Sequence, residues 1–118
     1  FDEEKEMRKK SDSKYRDFFN NAQYHPKNYS SANALFSIIL GSKSYRDSLI
    51  RKLSKNNIPT VIYYKFPIHL MKGFKYLGYN SGDLPVSESL SKKIVSLPMH
   101  PYIKEEEIES LVNFIKKN

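Results

Sequence analysis

With 118 residues, 39% of them apolar, the chain has the material for one hydrophobic core and not two. It contains no cysteine, which excludes disulfides and thiol chemistry, and no apolar run near the roughly 20 residues that a membrane-crossing helix needs. The net charge of +7 is spread out: twelve of the twenty Lys and Arg precede Ile58, eight follow, and no basic run exceeds three residues, so a nucleic-acid surface is not expected.

The first ten residues are highly charged and carry no signal-peptide core, so a cytoplasmic location without membrane insertion is the expectation. The chain opens on Phe1 where a translated product opens on methionine, which predicts either that residues were removed or that this is a piece of a longer protein.

Residues 2–20 read as a helix. Asp2, Glu3, Glu4 and Glu6 occupy the end where the helix dipole favours anions, and basic residues follow. Its apolar spacing begins in earnest only at Tyr15, Phe18, Phe19 and Ala22, the pattern of a helix half inside a domain and half outside it. Asn20 to Ser31 reads as a loop, with His25 before Pro26 taken as an extended loop residue.

Ala34 to Leu40 is nearly continuously apolar and reads as a well-covered strand ended by Gly41. Ser42 or Ser44 then caps a helix to about Lys55, with Tyr45, Leu49, Leu53 and Ile50 expected on its buried side. The β-branched and aromatic run from Ile58 to Tyr64 favours a second strand, which Pro67 must stop by about Phe66 because proline has no N–H to donate. Tyr63, Tyr64, Lys65 and His69 thereby cluster at a strand end and the loop after it, where sheets of mixed proteins usually present their chemistry. Lys65 and His69 could together hold an anion.

Leu70, Phe74 and Leu77 have helical spacing up to Gly78, and 79–83 is turn sequence. Leu84 or Pro85 opens another helix with Val86, Leu90 and Ile94 as its inner stripe, followed by a short strand, Val95 to Leu97. Glu105 to Lys117 is the clearest helix, acidic at its start, basic at its end, with Ile108, Leu111, Val112 and Ile115 on one face. The sum is an α+β fold: a small antiparallel or mixed sheet of about three strands covered on one side by four or five helices.

Motif chemistry is sparse. His25, His69 and His100 lie far apart, without the spacing of a metal site, and there is no nucleophile elbow, phosphate-cradling loop or dinucleotide fingerprint. Tyr79 and Tyr102 read as residues at the edge of the core.

Three blocks together carry more information than any single residue. These are I-P-T-V-I-Y-Y-K-F-P-I-H-L at 58–70, F-K-Y-L-G-Y-N-S-G-D-L-P-V-S-E-S-L at 74–90 and V-S-L-P-M-H-P-Y-I-K-E-E-E-I at 95–108. In order and spacing they resemble the C-terminal end of the DegT/DnrJ/EryC1/StrS family, pyridoxal-phosphate-dependent sugar aminotransferases of the aspartate-aminotransferase fold. The resemblance implies that 1–30 is an interdomain connecting helix and loop and that 31–118 is the small C-terminal domain. It implies, too, that the large cofactor-binding domain is absent from this chain.

In that family the aromatic segment borders the sugar-nucleotide site, so Tyr63, Tyr64 and His69 are the implied substrate-side residues. Lys65 and Met71 depart from the family's proline and glutamine, and Lys104 replaces a helix-capping threonine, leaving the last helix to rely on its glutamates. The implied parent is a homodimer that binds pyridoxal 5'-phosphate and aminates a keto sugar nucleotide, with glutamate as usual donor, for surface polysaccharide synthesis. The reactive lysine and the cofactor's partners belong to the large domain, so this chain alone is not expected to be catalytically competent or to hold the cofactor. A stand-alone, non-catalytic remnant with a binding or scaffold role is the alternative.

Overall fold

A computed structural model describes residues 1–22, 26 and 28–118; His25 lies outside them. Helix α1 spans Asp2–Arg16, strand β1 Phe36–Ile39 and helix α2 Lys43–Lys55. Two short 3-10 segments, Ile68–Leu70 and Lys72–Leu77, lead to α3 (Pro85–Lys93), β2 (Ile94–Leu97) and α4 (Glu105–Lys117).

The sheet is built around β2. It pairs antiparallel with β1, placing Phe36 opposite Leu97, Ser37 opposite Ser96 and Ile38 opposite Val95. The two serine hydroxyls meet at 2.7 Å across this ladder. Single bridges flank it on both sides, Ala22 against Ile38 and Val61 against Ser96. The α+β class and its small sheet are therefore as expected, but the Ile58–Tyr64 strand shrinks to one rung at Val61. Pro59 removes a donor two residues before that rung, and the chain turns at Tyr63–Tyr64 just after it, so propensity alone cannot extend the pairing.

The core lies between this sheet and the helices. Tyr15 stacks on Phe36 at 4.7 Å between ring centroids, Phe19 tilts against both, and Ile38, Leu49, Leu53, Val95, Ile108 and Val112 are buried around them. Helix α1 stops at Arg16 rather than Asn20, so Phe19 and Ala22 reach the core from the chain beyond it. The Tyr15 hydroxyl donates to the Pro98 carbonyl at 2.8 Å, and near the other end of α1 the Tyr102 hydroxyl donates to Glu4 Oε1 at 2.8 Å. Burial pushes the Tyr15 phenol pKa up, and the hydrogen bond to Glu4 does the same for Tyr102.

Helix α4 matches its expected bounds, with Ile108, Leu111, Val112 and Ile115 all buried. Lys104 has no side-chain acceptor to cap it; instead the Glu107 carboxylate accepts the Lys104 backbone N–H at 2.8 Å.

Helix α2 departs from expectation on its inner side. Ser42 caps it by accepting from the Tyr45 N–H, but the buried face is Arg46, Leu49 and Leu53, while Tyr45 is 39% exposed. Arg46 wins that position because its charge is fully engaged. Nε and Nη2 donate to Asp47 Oδ1 at 3.0 and 2.9 Å, and Nη1 donates to the Ser91 carbonyl at 2.7 Å. Lys43 adds a contact of 2.7 Å to the other Asp47 oxygen, and these two cations hold the Asp47 pKa below its ordinary value.

Candidate functional site

Beyond the Val61 bridge the chain enters an open groove of about 550 Å³. One wall is the segment after the bridge, with Tyr63, Tyr64, Phe66 and Ile68; the other is the start and outer face of α3, with Leu84, Val86 and Leu90. Pro85 opens α3 at a position where no N–H is needed, which sets that wall directly after the 79–83 turn. Tyr63 is 45% and Tyr64 62% exposed, and their rings meet edge to face at 6.4 Å. Such walls suit the flat face of a ring, while phenol hydroxyls can hydrogen-bond to hydroxyl or phosphate oxygens at the rim.

The apolar residues of α3 therefore have a different role from an inner stripe. Val86 is 72% exposed, and Leu90 and Ile94 are half-buried; all three line the groove. Their spacing identifies an apolar face without saying whether that face meets the core or open space. The buried face of α3 carries Ser91, whose carbonyl Arg46 takes.

His69 is placed differently from the two tyrosines. It is only 6% exposed and is absent from the groove lining. Its Nε2 lies 3.1 Å from Glu88 Oε1 on α3, and its ring sits edge-on to Tyr79 at 6.0 Å. Glu88 Oε1 also accepts the Gly82 N–H at 2.8 Å, and Oε2 faces the Ser81 hydroxyl at 3.4 Å. The Gly82 hydrogen bond, followed by that of His69, holds the Glu88 pKa below the ordinary glutamate value. Gly82 has φ of +97°, a conformation glycine adopts freely, which lets the turn aim its N–H at the carboxylate.

Sequence reasoning missed Glu88 as a hub, and the signal that could have found it is a glutamate six residues after a glycine turn, at the start of a helix. Lys65 is exposed and does not line the groove, so it and His69 do not form the pair that an anion site would need there. His100 is exposed on the loop before α4. Among the described residues no group of three or more His, Cys, Asp or Glu is arranged to hold a metal ion, and no helix is long and apolar enough to cross a membrane.

The small sheet and its covering helices have the α+β arrangement of aspartate-aminotransferase-fold sugar aminotransferases. The chain belongs to the DegT/DnrJ/EryC1/StrS aminotransferase family, whose model matches residues 1–116.

Among solved structures, a DegT DnrJ EryC1 StrS aminotransferase from Brucella abortus is 36% identical and superposes with a TM-score of 0.81, covering 97% of this chain and 31% of that one. The fold is shared as well with DesV of S. venezuelae, solved in complex with a ketimine intermediate, at a TM-score of 0.87, 20% identity, 98% of this chain and 32% of that one. Among curated relatives, the pleiotropic regulatory protein of Geobacillus stearothermophilus is 43% identical over 70 residues, 59% of this chain and 19% of its own length. The dTDP-3-amino-3,4,6-trideoxy-alpha-D-glucose transaminase of Micromonospora megalomicea subsp. nigra is 37% identical over 73 residues, 61% of this chain and 20% of its own. The chain thus spans about a fifth of these curated relatives and about a third of the solved ones.

Enzymes of this family use pyridoxal phosphate, which demands a lysine amine to carry it and an acidic group for its ring nitrogen. Among the described residues no lysine is buried, and the groove is lined by neither lysine nor carboxylate. These residues do not fit the cofactor.

Proposed function

We propose that this chain serves as the small C-terminal domain of a nucleotide-sugar aminotransferase and that its aromatic groove faces the sugar nucleotide. Residues 1–30 act as the connecting helix and loop, and 31–118 as the domain proper. Tyr63 and Tyr64 are the substrate-side contacts: their rings pack on the ligand and their hydroxyls meet its polar atoms, while Leu84 and Val86 exclude water from the opposite side. The cofactor and its lysine belong to a large domain outside these residues. The parent transfers an amino group, with glutamate as donor, to a keto sugar carried on a nucleoside diphosphate, for surface polysaccharide synthesis. It works as a homodimer.

One observation carries this reading. A 36%-identical aminotransferase accommodates nearly all of this chain in less than a third of its own. The exposed run of apolar side chains from Val61 to Val86 supports it, since a patch of that kind marks a surface that meets something else.

The test is the gene around these residues together with its whole product. An in-frame upstream segment encoding a lysine-bearing domain is expected, and the purified product should release 2-oxoglutarate from glutamate only when a keto sugar nucleotide is present. A reading frame that opens at the codon before Phe1 would overturn the proposal.

A further inference from the structure

The two walls of the groove come from separate segments, and something must hold them at a fixed spacing. Among the described residues, the aromatic wall is hydrogen-bonded to the rest of the chain at its two ends only. At the start, Val61 exchanges backbone hydrogen bonds with Ser96 at 3.2 and 2.7 Å. At the far end, His69 meets Glu88. Among the described residues, the hydrogen bonds and ring contacts of the stretch between them are local: the Pro67 carbonyl accepts the Leu70 N–H at 3.0 Å, and Tyr63 and Tyr64 pair ring to ring.

Glu88 is itself fixed to α3 and to the turn at Ser81–Gly82, so the second wall and the floor of its first turn move with it. An ionised carboxylate only accepts hydrogen bonds, which requires His69 to carry a proton on Nε2 and to donate it to Glu88 Oε1. With that nitrogen engaged and the ring buried against Tyr79, His69 stands behind the groove and not in it.

We propose that His69 is a positioning residue, whose hydrogen bond to Glu88 sets the spacing between the two walls and thereby aims Tyr63 and Tyr64. The proposal rests on the functional reading above for its purpose, but not for its geometry.

Two readouts on the 118-residue chain separate the two. The first needs no ligand: the ring signals of Tyr63 and Tyr64 in the 13C-labelled chain, with those of Tyr15 and Phe36 as a check on the core. His69→Ala and Glu88→Ala should move the groove signals and leave the core signals in place. His69→Gln, whose amide N–H reaches the position of Nε2, should restore them. Unmoved groove signals in His69→Ala would overturn the proposal, as would loss of the core signals in both alanine variants, because the pair would then serve the whole fold.

The second readout is the affinity for dTDP-glucose. His69→Ala should weaken it by about tenfold, the scale of one charge-assisted hydrogen bond, and His69→Gln should recover it. The double variant should bind no more weakly than Glu88→Ala alone. Additive losses would mark His69 as a direct ligand contact and sink the positioning role. If the groove signals behave as expected while dTDP-glucose shifts nothing in the unaltered chain, the positioning role holds and the assignment of the groove to the sugar nucleotide fails.

Discussion

Arg46 Nη1 sits 2.7 Å from the carbonyl oxygen of Ser91, so a residue of α2 closes the last turn of α3. The carbonyls at the end of a helix have no partner within it, and this one is buried. Arg46→Met keeps the packing volume and removes the donor. It should cost about 1–3 kcal/mol, the scale for a buried acceptor left unsatisfied. Urea unfolding measures this as a lower midpoint with an unchanged slope. A midpoint equal to that of the unaltered chain would show that water replaces the guanidinium without loss.

Asp47 and Glu88 both have pKa values lowered by folding, from ordinary values of 3.8 and 4.5. For a depressed carboxyl the stabilising contribution is complete above the unfolded value and is lost as pH falls through the folded one. Stability should therefore stay level down to about pH 4.5 and fall below it. In Glu88→Gln the part of that fall due to Glu88 should vanish, read by thermal unfolding across a series of acidic buffers.

Tyr15 gives the opposite limb. Its phenol is raised above 10.0 by burial, so its contribution is complete below pH 10 and is lost as pH rises toward the folded value. Tyr15→Phe keeps the stack on Phe36, removes the hydrogen bond to Pro98 and should cost about 0.5–1.5 kcal/mol at neutral pH. The same variant should show a weaker decline of stability at alkaline pH.

The core and the groove should separate cleanly. Phe36 is 1% exposed, and Phe36→Ala should destabilise the chain by about 3–5 kcal/mol. Tyr64 is 62% exposed, and Tyr64→Ala should stay within about 0.5 kcal/mol of the unaltered chain while losing affinity for a sugar-nucleotide probe. Calorimetric unfolding paired with titration of dTDP-glucose checks both halves.

Helix α4 has room for improvement. Lys104 has the extended backbone of an N-cap, φ −83° and ψ 152°, with a side chain that cannot accept a hydrogen bond. Lys104→Thr should add about 0.5–1 kcal/mol, visible as a higher unfolding midpoint.

How much of this was readable beforehand differs by element. Helix α4 was legible in full because its charges, its apolar face and its lack of a polar cap residue all act locally. The Gly78 stop was legible for the same reason: its φ of +78° is a conformation few other residues adopt. The strand from Ile58 was over-read, since β-branched residues show fitness for a pleated surface but not the availability of a partner edge. Spacing puts Tyr45 inward and says nothing of Arg46, because the compensation for burying a guanidinium, the carbonyl of Ser91, lies 45 residues away. For the groove, Tyr63 and Tyr64 were singled out by their place after the strand and by resemblance, and the structure sets both on one wall. The opposite wall escaped because an apolar face on α3 reads the same whether it is packed or open.

The two tyrosine hydroxyls that grip α1 have a mechanical result. Glu4 and Tyr15 are eleven residues apart, which at the α-helical rise puts their attachment points about 16 Å from one another along the axis. Both grips lead to the short stretch from Pro98 to Tyr102, so that stretch lies along the rod like a splint. A rod tied at two well-separated points resists tilting far better than one tied once, and load applied to the first helix reaches the junction between β2 and α4.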